Sequence, residues 1–288
     1  MTSLTPGRRA LALLAALGAL MLAGCGSADP ASTTGPADHG APLRLSVLIS
    51  GDGGASSKLA RYLAAEVAPD YDAELTFETI TSAEQLSQTV ADGEIDANFI
   101  STGYWVAQQV ADGGYKVRPV LATHFNRFSI VSTKYPSLRE VPDGASVVLP
   151  NDPSNLAQGL LLLAQEGLIQ LEPSDRPELY TQRQITANPK NLRIEEAGLA
   201  QIPRSLPDVD LGVTYDSVFL DGGVAPEDFL ATFRAPSTNW AIHLVVGENI
   251  APERLATLEQ IFEDPRATRF VSDQLKDVAL PLTAGVGS

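Results

Sequence analysis

Few residues in this 288-residue chain stand where they could do chemistry. Of its three histidines, His39 lies in a polar N-terminal stretch. Neither His124 nor His243 has a Cys, Asp or Glu at the spacing a metal site needs. Gly51-Asp52-Gly53-Gly54-Ala55-Ser56 follows a strand-like run and precedes a helical one. However, Ser56 occupies the third-glycine position of a dinucleotide fingerprint, and no Gly-Lys-Ser/Thr follows. What remains is a loop whose free N–H groups, at a helix start, could hold a small anion. There is no Gly-x-Ser-x-Gly elbow and no His-Glu-x-x-His. Acidic pairs such as Glu195-Glu196 read as solvated surface in a chain with 35 Asp and Glu against 20 Lys and Arg. No catalytic or metal-binding constellation emerges and no cofactor is implied, so an enzyme is not expected.

The single cysteine carries more information. Cys25 directly follows Leu22-Ala23-Gly24, which ends a run of Ala and Leu from Ala10, and that run follows Arg8 and Arg9 in a head without acids. A basic head, a short apolar core and small residues at a cleavage point make a secretory signal. The run is shorter than the roughly 20 residues of a membrane span. Leu-Ala-Gly-Cys also resembles the bacterial lipobox, whose cysteine becomes a lipidated N-terminus. An ordinary secreted protein with an incidental thiol is the alternative. The reading is an exported protein held to the outer face of the bacterial cytoplasmic membrane by lipid on Cys25.

Segments 1–24 and 25–42 are thus a signal and a Gly-, Ser-, Thr- and Pro-rich tether. Removing the signal takes two arginines and no acid, which deepens a formal charge already at −15. So acidic a surface argues against nucleic acid and against a polybasic grip on membranes. A chain with one cysteine in an oxidising compartment must be stabilised by its apolar core.

After the tether, strand and helix signals alternate. Strands are expected at Leu43–Ile49, Leu75–Ile80, Ile95–Phe99, Phe128–Thr133, Ala145–Leu149, Leu192–Glu195, Leu211–Thr214 and Trp240–Val246. Between them fall helices with identifiable starts and stops. Ser82 and Gln85 have the form of a capping box. Asp152-Pro153 supplies a cap and a first-turn proline for a helix burying Leu156, Leu160, Leu161 and Leu163. Pro252 and Asp264-Pro265 open two more. The pattern is α/β with largely parallel sheets, in two series that suggest two lobes and a cleft beyond the strand ends.

Four segments resemble one family. They are Gly93-Glu94-Ile95-Asp96-Ala97-Asn98, Val147 to Leu163 with its Asn151-Asp152-Pro153-Ser154-Asn155 core, Asn188-Pro189-Lys190-Asn191-Leu192-Arg193-Ile194, and Gln201-Ile202-Pro203-Arg204-Ser205-Leu206. Their order and spacing resemble the NlpA-type, methionine-binding lipoproteins of ABC importers. The resemblance implies a two-lobed, periplasmic-binding-protein-like clamshell with two crossings between lobes. Lobe 1 would take 43–128 plus 240–288 and lobe 2 would take 129–239. It implies a small-molecule solute as ligand, and a permease with its cytoplasmic ATPase as partner. An exported structural or adhesive lipoprotein that kept the fold without transport is the alternative.

The resemblance also locates candidate ligand positions, and most of them differ from the family. Gln158 stands where methionine-binding members have an arginine that grips the ligand carboxylate. Ile100, Thr102 and Trp105 stand in place of a Phe-x-His-x-x-Tyr pattern around the ligand side chain. Tyr215 and Ile242 match two asparagines. Ser237-Thr238-Asn239-Trp240 replaces a Ser-Pro-Tyr phrase. Trp105, Tyr104 and Trp240 can wall an apolar ligand or pack within the lobes. Arg127, beside the expected crossing, can replace the lost cation or balance the acidic surface. Asn151 and Asn155 fit helix capping better than ligand contact.

Overall fold

Strand-forming runs alternate with helices along the chain and are shared between two sheets. The computed structural model describes residues 41–51, 53–79 and 82–282; the signal and Cys25 lie outside the described residues. The first sheet contains β1 (Leu43–Leu48), β2 (Ala73–Glu78), β3 (Ala97–Asn98), β4 (Val117–Asn126), β12 (Ile242–Gly247) and β13 (Ala279–Pro281). Their order is β13-β4-β12-β3-β1-β2. The second contains β5 (Phe128–Val131), β6 (Ser146–Pro150), β9 (Arg193–Ala197), β10 (Leu211–Tyr215) and β11 (Phe229–Thr232), in the order β11-β5-β10-β6-β9. A separate pair joins β7 (Gln170–Leu171) to β8 (Ile185–Ala187). The chain passes from the first sheet to the second at Arg127, and returns between Thr232 and Ile242.

The expectation of largely parallel sheets is corrected by the pairings. In the first sheet β1 runs parallel to β2 and β3, while β12 is antiparallel to β3 and β4, and β13 to β4. In the second, β6 runs parallel to β9 and β10, while β5 is antiparallel to β10 and β11. The reason is topological. A strand that enters a sheet from the other sheet need not follow a βαβ crossover, so it is free to run either way.

Eight helices surround the sheets among the described residues: α1 (Ala55–Glu66), α2 (Ala83–Ala91), α3 (Gly103–Gly113), α4 (Pro153–Gln165), α5 (Ile202–Ser205), α6 (Asp216–Asp221), α7 (Pro252–Glu263) and α8 (Pro265–Gln274). None of them is long and apolar enough to cross a membrane. On the first sheet, Leu45, Val47 and Ile49 pack with Leu59 and Leu63 of α1 and with Leu258 and Ile261 of α7. On the second, Val147, Leu149, Leu211 and Val213 pack with Leu156, Leu160 and Leu163 of α4. Each such leucine contributes about 2 kcal/mol by leaving water.

The helix boundaries follow the local chemistry. Asp152 caps α4, its Oδ1 accepting from the Asn155 backbone N–H at 3.1 Å, and Pro153 occupies the first turn. Leu162 is fully buried in α4 whereas Leu161 is only half-buried, which exchanges two neighbours in the expected apolar face. Gly159 lets α4 lie close to β6, since a Cβ there would stand 3.1 Å from Leu149 Cδ2. Ser82 accepts from Gln85 N at 3.5 Å; among the described hydrogen bonds, the reciprocal half of the expected capping box is absent.

Candidate functional site

A cavity of about 570 Å³ opens between the two sheets, within the usual range for small-molecule sites. It lies beyond the carboxyl ends of the strands, where the chain turns from strand into helix. The first turn of α1 supplies Ala55 and Ser56, and α2 supplies its cap Ser82 and Leu86. The start of α3 supplies Thr102 and Trp105. From the second sheet come Asp152, Ser154, Asn155 and Gln158 at the start of α4, with Tyr215 and Ser217 at the start of α6.

Three of these helix starts are closed by their own side chains. Thr102 Oγ1 accepts from Trp105 N at 3.2 Å, Ser82 caps α2 and Asp152 caps α4. Among the described residues no side chain caps the start of α1, so its first N–H groups are open to another acceptor. Gly103 allows α3 to begin against the return crossing. A Cβ there would stand 3.0 Å from His243 Cε1 and 3.2 Å from Asn239 Cα.

On the second-sheet side the polar groups form one chain. Tyr215 OH donates to Asn155 Oδ1 at 2.7 Å, and Asn155 Nδ2 donates to Asp152 Oδ2 at 3.0 Å. Ser154 Oγ donates to Asp152 Oδ1 at 3.3 Å. Burial first, and then the Asp152 carboxylate, push the Tyr215 phenol above its ordinary range, so it remains a donor. Two groups stay outside this network. Gln158 is 5 % exposed, and its carboxamide hydrogen-bonds to no described residue. Trp240 is 4 % exposed and its Nε1–H has no acceptor among the described residues, although the ring is held by edge contacts to Tyr104 and Phe233.

On the first-sheet side, Ser56 Oγ lies 3.3 Å from Nε2 of His124, which is fully buried and has Thr123 Oγ1 3.0 Å from its Nδ1. Burial lowers the His124 pKa to about 4, so the ring is neutral near pH 7. The pair lacks a carboxylate orienter, and a neutral ring behind a cap-region serine here serves to fix the start of α1.

A model of the NlpA lipoprotein family matches residues 52–283. The chain belongs to the NlpA lipoprotein family. It is 30% identical over 266 residues to the probable D-methionine-binding lipoprotein MetQ of Vibrio cholerae, covering 91% of this chain and 93% of that one. Two solved structures superimpose with a TM-score of 0.69, each covering 83% of this chain and 99% of the other. One is an ABC transporter periplasmic substrate-binding protein from Coxiella burnetii, at 29% identity. The other is a nutrient-binding protein from Burkholderia cenocepacia bound to methionine, at 26%. Membership makes this NlpA lipoprotein a substrate-binding protein rather than an enzyme.

In this family member, six of the seven sequence-derived ligand candidates line the cavity: Ile100, Thr102, Trp105, Gln158, Tyr215 and Trp240. Arg127 does not. Its Nε donates to Asp216 Oδ2 at 2.8 Å and its Nη2 to Thr232 Oγ1 at 3.1 Å, which fastens the first crossing to the second sheet. The cation is committed to a nearly buried carboxylate, so it is not a free anion grip. Tyr104 packs against Trp240 rather than lining the cavity. Asn155, read as a capping residue, does bond to the cap but also faces the cavity. Sequence reasoning missed Asn126 and Ser217 altogether. Asn126 ends β4, a strand without a clear alternating signal, and Ser217 begins the six-residue α6, too short for a periodic one.

Proposed function

We propose that this protein is the solute-binding component of an ABC importer. It takes a small molecule between the two sheets and delivers it to a permease driven by a cytoplasmic ATPase. The observation that carries this reading is a cavity of about 570 Å³ at the strand ends of both sheets. It is walled by Trp105 and Trp240 and lined by two buried polar atoms without a partner among the described residues, Trp240 Nε1 and Asn126 Oδ1, together with Gln158, which hydrogen-bonds to no described residue. Buried polar groups without partners are rare in folded chains unless a ligand or water satisfies them. The sheets act as lobes that close on the solute about the two crossings, at Arg127 and between Thr232 and Ile242, within a few residues of the expected divisions 43–128 plus 240–288 and 129–239. Lipid on Cys25 holds the protein to the outer face of the cytoplasmic membrane, with 25–42 as the tether.

Free methionine, the ligand in the Burkholderia structure, is disfavoured as a tight ligand here by Gln158. A neutral amide in place of a buried cation loses the charge-assisted half of a carboxylate contact, worth on the order of 2–5 kcal/mol. Thermal unfolding against a panel of amino acids, amides and peptides tests the reading, because a solute that binds only the folded state raises the melting temperature. Stabilisation by one compound class is expected. No stabilisation by any would leave the structural or adhesive lipoprotein in its place. The anchor is tested separately: Cys25→Ala should remove the mature protein from the membrane fraction.

A further inference from the structure

The charge inventory of the cavity narrows the solute, on the reading just given that the cavity is the solute site. Among its described lining residues there is no Lys, Arg or His, and Asp152 brings the only formal charge. The donors that Asp152 accepts from are all neutral: Asn155 N, Asn155 Nδ2 and Ser154 Oγ. Arg127 is tied to Asp216 and Thr232. An anionic solute would therefore meet a carboxylate with no side-chain cation to offset it, whereas an ammonium or N–H donor would gain from it. The unpartnered groups state the complementary need. Among the described residues Trp240 Nε1–H, a donor only, lacks an acceptor and Asn126 Oδ1 lacks a donor, while the Gln158 carboxamide, bonded to no described residue, offers both a donor and an acceptor. The uncapped start of α1 offers further N–H groups to a neutral carbonyl.

We propose that the cavity selects a small solute that carries N–H donors and a neutral carbonyl but no free carboxylate: an α-amino amide or a carboxyl-blocked peptide unit rather than a free amino acid. The aromatic walls take its apolar side chain, Asp152 takes its donor, and Gln158 with Trp240 take its carbonyl and amide.

Calorimetry with three probes of one side chain tests this: L-methioninamide, L-methionine and N-acetyl-L-methionine. The amide should bind at least tenfold more tightly than the free amino acid, and the N-acetyl acid should bind most weakly. Asp152→Asn, which retains a good N-cap side chain, should shrink the preference for the amide to threefold or less. Gln158→Arg should invert it in favour of methionine. Equal or tighter binding of methionine by the unaltered protein would overturn the inference, as would an unchanged preference in Asp152→Asn. Binding of none of the three probes would also overturn it. In that case the importer reading survives if another compound of the thermal panel stabilises the protein, and falls only if none does.

Discussion

Both walls of the cavity are made of helix starts, yet they handle polar groups in different ways. On the first-sheet side the caps are hydroxyls, Ser82 and Thr102, interleaved with Ile100 and Trp105, and the start of α1 is left open with Ser56 backed by neutral His124. On the second-sheet side a carboxylate, one amide, a hydroxyl and a phenol form a connected network, beside Gln158, which hydrogen-bonds to no described residue. The first wall therefore offers shape and backbone donors, and the second offers charge and side-chain amides. On the proposed reading, this contrast is how a retained fold takes a different solute. The caps hold the helices in place, while Gln158 is a neutral cavity-facing position and Asp152 the only formal charge among the described lining residues.

Three measurements break or sharpen that contrast. The largest effect is expected from Trp240→Ala, which removes a nearly buried indole held between Tyr104 and Phe233. The cost should be about 3–5 kcal/mol in urea denaturation, with loss of solute-induced stabilisation. A loss under 1 kcal/mol would show that the ring is peripheral to the packing as well as to the cavity.

Next comes acid sensitivity, which belongs to the first wall. Because the His124 pKa is about 4 when folded and near 6.5 when unfolded, the unfolded chain takes up the proton first as pH falls. Stability is thus fully present above pH 6.5 and declines toward pH 4, by about 2 kcal/mol at pH 5 and about 3 kcal/mol below pH 4. His243, also held below its ordinary value by burial, adds in the same sense. Urea midpoints measured from pH 7.5 to 4 should show most of this slope disappear in His124→Gln. An unchanged slope would place the acid response elsewhere.

The smallest effect is Tyr215→Phe on the second wall. It removes the donor to Asn155 Oδ1 and should cost about 0.5–1.5 kcal/mol. Asp152 should still cap α4, since its contacts to Asn155 N and Nδ2 do not involve the phenol. Loss of the helix start on circular dichroism would show that the network is cooperative rather than a sum of pairs.

Elements with strong local chemistry were legible in the sequence: the Asp152-Pro153 start of α4, the Asp264-Pro265 start of α8, and β1 with its alternating residues. The ten-residue β4 was not. It contains Arg118 and Pro119, and its pairing with β12 shifts register twice, once where Leu244 and Val245 pass Leu121 and Pro119. Irregular pairing removes the strict alternation that reveals a strand, although the strand is paired on both sides within its sheet. β13 is three residues long and ends at Pro281, below any periodic signal. Among the candidate site residues, Gln158, Thr102 and Trp105 were legible through the family resemblance rather than through spacing. Arg127 showed its charge but not its partner, because Asp216 lies 89 residues further along the chain.

The path of the chain through the two sheets carries a consequence for synthesis. All strands of the second sheet come from the continuous stretch 128–232, so a growing chain holds every one of them before residue 240 is made. The first sheet cannot be completed at that stage. β12 lies between β3 and β4, so until it is made β4 has no hydrogen-bonded link to β1, β2 and β3. A nascent chain therefore carries an unpaired β3 edge and an unpaired β4 while its middle third can already fold, and such edges invite association with other chains. The last fifth of the polypeptide, through β12, is what converts an early-made but open sheet into a closed half of the molecule.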